Sequence, residues 1–293
     1  MTTITPNYYD RFKCIADKCT HNCCIGWEID IDDKTLIKYK NANGDFASLL
    51  NANIVFDEFP HFKLGNNDRC PFLNKQGLCD IITNFGENML CQICTDHPRF
   101  RNFYDNYEEI GLGLACEAAA KIILTQTEPS KLNLTPQALE IPMIKYRENL
   151  FDILQDREFS VDERVENLLT FINAELPSKV DWYNIFNNLE KLDESWDRYL
   201  LKIKNGISLH PTDSLLDTAY EQLLVYLIFR HFLDGQYDDS FTERVLFAVL
   251  IYKIIKSMNT SNTIEELLEI ARLYSAEIEY SDENIETILL NLT

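Results

Sequence analysis

The chain has 293 residues, 46% of them hydrophobic, and a formal net charge of −20. That length and apolar content suffice for one large domain or two, and only nine glycines and nine prolines favour helices over a turn-rich sheet protein. The negative balance argues against binding nucleic acid or an anionic membrane, both of which need a basic face, and suits a basic protein partner.

The opening residues, MTTITPNYYDRF, lack the charged start and apolar run of an export signal. Leu223 to Phe229 is strongly apolar, but Arg230-His231 interrupts it before a bilayer could be spanned. A cytoplasmic protein is expected, and in a reducing compartment clustered cysteines bind metal more often than they form disulfides.

All nine cysteines lie between residues 14 and 116. The first cluster, Cys14, Cys19, Cys23 and Cys24, has the spacing C-x4-C-x3-C-C and runs into Gly26-Trp27. Short loops of this kind can turn several thiolates onto one zinc ion or one iron–sulfur cluster; the plainer reading is a group of small buried hydrophobes. Trp27–Ile31 alternates apolar and polar residues and predicts a short strand. Asp32 and Asp33 open a helix through Tyr39, and further strands are expected at Asn53–Phe56 and His61–Leu64. Lys75-Gln76-Gly77 forms a turn that brings Cys70 and Cys79 near each other. The next helix is expected over Asn84–Leu90. Cys91-Gln-Ile-Cys94 lacks the strand-before-helix setting of a redox pair, and Gly111-Leu-Gly-Leu-Ala-Cys116 lacks the positions of a dinucleotide loop before a helix over Ala118–Leu124.

These features predict a mostly α protein. A cysteine-rich domain with short strands occupies residues 1–126, Thr127 to Pro142 is a linker, and an all-helical domain fills 143–293. Its helices are read at Val161–Asn173, Asp181–Asn205, Ser214–Leu233 and Phe241–Met258. A capping box, Thr263-Ile-Glu-Glu266, opens a helix running past Ile278, and Ser281 caps the last one.

Three constellations carry chemistry. Eight cysteines (Cys14, Cys19, Cys23, Cys24, Cys70, Cys79, Cys94 and Cys116) suffice for one metal site or two. Arg230-His231 inside an apolar helix demands a partner carboxylate, as a structural ion pair or as part of a site. Tyr274 and Glu277 place polar groups beside an apolar face, lining a cavity or forming an ordinary solvated edge.

The pattern F-K-C14…C19-x3-C23-C24-x-G-W27-x-I-D-I, C70-P-F-L…G-L-C79, G86-E87…C94-x3-P98-R99 and C116-E117-A-A, followed by Y226…F229-R-H-F232 and L273-Y-S-x-E277-I-E279-x-S281-x-E-N284, resembles the flagellin lysine-N-methylase (FliB-like) family, with a YkgJ-type cysteine-cluster region. Cys91 lies outside that pattern. The resemblance implies a protein-lysine N-methyltransferase that takes its methyl group from S-adenosylmethionine and acts on flagellin. It also implies an iron–sulfur cluster, of the 4Fe-4S kind, held by the eight cysteines, with zinc as the alternative. On that reading Tyr274 or Glu277 accepts the proton or orients the amine, and Trp27, Arg99 and Glu117 bind the methyl donor. The competing reading is a non-catalytic, metal-stabilised module that docks a basic protein.

Overall fold

The computed structural model describes residues 2–292. Among them the chain forms fourteen α-helices and five short strands, a mostly helical architecture as expected. It divides into two compact units, one running from Lys13 to Phe100 and the other comprising the residues up to Phe12 and those from Arg101 onward. The division therefore does not follow the cysteine content, and the segment 127–142 lies wholly inside the second unit. There it is pinned rather than loose: the Asn7 amide donates to Lys131 O at 2.8 Å, the Asn133 amide to Thr5 O at 2.8 Å, and the Ser130 hydroxyl to Gln222 at 2.6 Å.

In the cysteine unit, the helix Asp33–Asn41 begins where the Asp32 carboxylate accepts the Thr35 amide. The other Asp32 oxygen accepts the Gln92 amide at 2.9 Å, so one side chain satisfies donors at two helix starts. The hairpin Ile54–Phe56 and Pro60–Phe62 is antiparallel, with Val55 opposite His61. Trp27–Ile31 runs alongside it in extended form but pairs only at Asp30–His61, too short a ladder to make the expected strand. The helix expected over Asn84–Leu90 lies earlier, at Asp80–Phe85, and stops at Gly86. Gly86 has φ of +88°, a left-handed value that ends helices and is strained for any side chain. Ile29, Ile31, Tyr39, Phe62, Phe72 and Ile81 form the core together with Cys70 and Cys91, and Cys24, Cys79 and Cys94 pack against it.

In the helical unit, the strand Tyr107–Leu112 has Thr2–Ile4 parallel on one side and residues 101–103 on the other. The helices Ser214–His231 and Phe241–Met258 are buried nearly all round, as their unbroken apolar sequence requires. Glu109 and Arg147, both fully buried, form a two-pronged pair at 2.6 and 2.9 Å. Glu221 takes both Arg157 and Arg164.

The stretch Asp181–Asn205 is not one helix. It forms Trp182–Asn188 and Glu194–Leu200 with a break between them and a 3-10 turn after. The break has a cause in Glu277, whose carboxylate accepts the Leu192 amide at 2.8 Å and the Asp193 amide at 2.7 Å. Those two donors are thereby satisfied outside a helical ladder. The helix expected to run through Ile278 is α-helical only over Ile264–Tyr274. It then widens into a π-helical turn, Ser275–Glu279.

Candidate functional site

The π-turn decides which side chains face inward. Glu277, Ile278 and Glu279 are all buried, as is Ser275, and the wider π-turn brings Glu279, five residues after Tyr274, onto the Tyr274 side of the chain.

Glu279 forms the centre of a buried polar nest. Its side chain has no exposed surface, and Arg230 Nε and His231 Nε2 lie 3.5 and 3.2 Å from Oε1. The Tyr226 hydroxyl donates to Oε2 at 2.7 Å and the Ser275 hydroxyl at 2.5 Å. Arg230 also donates to the Glu279 carbonyl at 3.2 Å and to the Tyr226 oxygen at 3.3 Å. Arg230-His231 thus finds the carboxylate that burial demands. Burial alone would raise the Glu279 pKa, but the Arg230 charge and the hydrogen bonds from His231 and Ser275 outweigh it and lower it to about 2. Glu279 is therefore an anion at any physiological pH.

Tyr274 belongs to this nest and Glu277 does not. The Tyr274 side chain is fully buried, and its hydroxyl has no hydrogen-bond partner among the described residues. Burial first, then the nearby Glu279 and Tyr226, raise its pKa well above that of a free tyrosine, with Arg230 opposing. Glu277 serves the loop at Leu192–Asp193 instead. Burial pushes its carboxyl up and the two amides hold it back. Glu277→Ala should leave those amides unsatisfied and cost about 2 kcal/mol, read as a lower urea midpoint, with any activity falling only as the folded fraction falls.

Glu279, Tyr226 and Ser275 lie in the quoted family pattern, but sequence reasoning gave them no role. The available signal was the buried pair Arg230-His231, which requires a carboxylate without saying which one. α-Helical spacing favours Glu277, and only the π-turn exchanges it for Glu279.

The cysteine unit gathers six thiols. The Cys70 amide donates to Cys24 O at 2.8 Å. The interaction between the neighbouring thiols lowers Cys23 to about 7 and raises Cys24. Cys91 and Cys94 interact likewise: the hydrogen bond lowers Cys91 against burial, and the Tyr39 hydroxyl, 3.4 Å from its sulfur, adds to the effect. Cys24 and Cys70 both act on Cys94, and burial raises Cys70 to about 11 and also raises Cys79. Cys91, outside the family pattern, is fully buried in this group. Cys14 is exposed and accepts the Ala16 amide at 3.4 Å. The Cys19 thiol donates to His21 O at 3.2 Å, and Cys116 caps the helix Glu117–Leu124 in the other unit. Soft thiols against an apolar core are the donor chemistry that zinc and iron–sulfur centres take. Among the described residues, no three His, Cys, Asp or Glu converge as a ready-made ion site.

The Trp27 indole donates to Cys23 O at 2.6 Å, Arg99 donates to Thr95 O at 3.2 Å, and Glu117 is the first residue of the helix after Cys116. No helix of the described residues is long and apolar enough to cross a membrane.

Residues 174–292 match the family model described as the FliB lysine N-methylase C-terminal domain. The chain is 27% identical over 139 residues to the flagellar biosynthetic protein FliU of Salmonella muenchen, a match covering 45% of this chain and 82% of FliU. It is 28% identical over 142 residues to a lysine-N-methylase of Salmonella typhimurium, covering 45% of this chain and 35% of that protein. A lysine-N-methylase of Salmonella choleraesuis is likewise 28% identical over 144 residues, with the same coverage. The match thus spans about a third of the two methylases' own length, and no solved structure matches. The matched segment contains Tyr226, Arg230, His231, Tyr274, Ser275 and Glu279, and over this segment the chain is similar to the FliB C-terminal domain.

Proposed function

We propose that this chain is a protein-lysine N-methyltransferase that uses S-adenosylmethionine, acts on flagellin, and carries a cysteine-held iron–sulfur cluster in its cysteine unit. The observation that carries this reading is that the FliB C-terminal domain match covers the helical core of the Glu279 nest. The flagellar and lysine-methylase names of the relatives supply the substrate class.

Bound S-adenosylmethionine supplies an electrophilic methyl group on a sulfonium. A neutral lysine amine would take that methyl group, leaving a neutral thioether, and one nitrogen proton would pass to a base or to solvent. Lysine has an ordinary pKa of about 10.4, so the protein must supply an apolar setting and an oriented acceptor. In this reading Tyr274 orients the amine. Glu279 takes the place first given to Glu277, as the anion that fixes Tyr226 beside it. Trp27, Arg99 and Glu117 remain the proposed donor-binding residues. Cys23, Cys24, Cys70, Cys79 and Cys94 would hold the metal centre, and the family pattern adds Cys14, Cys19 and Cys116.

The test is mass spectrometry of flagellin after incubation with the metal-loaded protein and S-adenosylmethionine. Gains in steps of one methylene are expected, and no gain with an intact metal centre would refute the reading. Tyr274→Phe separates a role in the site from a role in packing. Its hydroxyl has no hydrogen-bond partner among the described residues, so the melting temperature should hold while turnover drops by about 10²-fold.

A further inference from the structure

The cysteine unit carries a second feature, distant in sequence from the nest and lined by no thiol among the described residues. A groove of about 630 Å³ is lined by Ile31, Phe59, Ile93 and a set of aspartates. Phe59, at the turn of the hairpin, is 69% exposed, a large apolar cost in water for a side chain that supports nothing in the core. Asp30 and Asp33 stand exposed on the same lining, and Asp96 adds a third carboxylate. Asp32, between them in sequence, is spent on the Thr35 and Gln92 amides, so the groove's charge comes from its neighbours. No lysine or arginine lines it among the described residues.

We infer that this groove docks an extended, lysine-bearing segment of the protein substrate. The chemistry is complementary on both counts. A lysine lays a four-carbon stem on apolar surface and keeps its ammonium in water or against a carboxylate, and the lining offers Phe59 and isoleucines beside aspartates. A nucleic acid or an acidic peptide would meet like charge. The inference rests on the protein-lysine reading above and names where substrate is held, apart from where it reacts.

The experiment uses the full chain and a fluorescein-labelled twelve-residue peptide of alternating lysine and alanine, followed by anisotropy without methyl donor. Acetylating every lysine should abolish binding. Asp30→Asn with Asp33→Asn, and separately Phe59→Ala, should each weaken binding by about tenfold, with unchanged circular dichroism. Glu283→Gln, a surface change in the other unit, should leave binding as it is. Equal affinity in the groove variants and the wild type overturns the inference. The two readings fail separately. If flagellin gains methyl groups at the wild-type rate in the groove variants, the groove is wrong and the enzyme stands. If the groove variants lose the peptide and the wild type never methylates, the groove stands and the enzyme reading falls.

Discussion

Glu279→Gln should destabilise the helical unit by about 3–5 kcal/mol, the cost of leaving a buried charge without its partner. The substitution keeps the shape of the side chain and removes only the anion. Arg230, almost fully buried, then faces a neutral amide, and the Tyr226 and Ser275 hydroxyls lose a charged acceptor. Urea unfolding at neutral pH reads the loss as a lower midpoint with little change in slope. Adding Arg230→Met to the same chain should restore much of it, because replacing both members of a buried pair by neutral groups is close to neutral. A midpoint unchanged in Glu279→Gln would show that the nest is less well enclosed than its geometry states.

The same group sets an acid limit. Its folded pKa, about 2, lies below the ordinary 4.5. A depressed carboxyl contributes stability that is fully present above the ordinary value and is lost as pH falls through the folded one. The wild type should therefore lose this contribution between about pH 4.5 and 2, and Glu279→Gln should lack that part of the acid limb.

How much of this was legible beforehand depends on the kind of signal. The long helices were, because Ser214–His231 and Phe241–Met258 are continuous apolar runs with clear ends. The need for a partner to Arg230 was legible as well, from the cost of burying a cation. Two things were not. A π-turn leaves no trace in α-helical periodicity, so Glu277 looked inward-facing with Tyr274 while Glu279 did not. The break at Leu189–Asp193 depends on a carboxylate more than eighty residues away in the chain, and no local propensity registers such a partner. The division into units was misleading for a related reason. Cysteine content marked where thiols occur in sequence, whereas compactness follows contacts, and the residues at 127–142 and 2–12 hold each other. Cys91 shows the reverse case. A family pattern left it out, and its burial beside Cys94 and Tyr39 brings it into the thiol group.

If the thiols hold the proposed metal centre, removing it should unfold the cysteine unit and leave the helical unit standing. The cysteine unit has a modest core, with short helices, one two-stranded hairpin and sulfur atoms among its apolar side chains, and a metal held by those thiols would couple its folding to metal binding. A structural site of thiolates contributes on the order of 10 kcal/mol, more than any single side-chain contact here. The helical unit has its own core in Ser214–His231, Phe241–Met258 and Ile264–Tyr274, and its buried ion pairs Glu109–Arg147 and Glu221–Arg164 hold no thiol. Chelation under anaerobic conditions, followed by limited proteolysis, should therefore open cleavage sites between Lys13 and Phe100 and leave a resistant fragment from about Arg101 onward. Before chelation, an iron–sulfur centre should absorb in the blue and fade with the metal, whereas colourless protein with stoichiometric zinc would replace the cluster by zinc and keep the folding prediction. One transition that melts both units together would show that their cores are not independent. Unchanged resistance at Lys13–Phe100 after complete metal loss would show that the thiols pack as hydrophobes and that the unit folds without them.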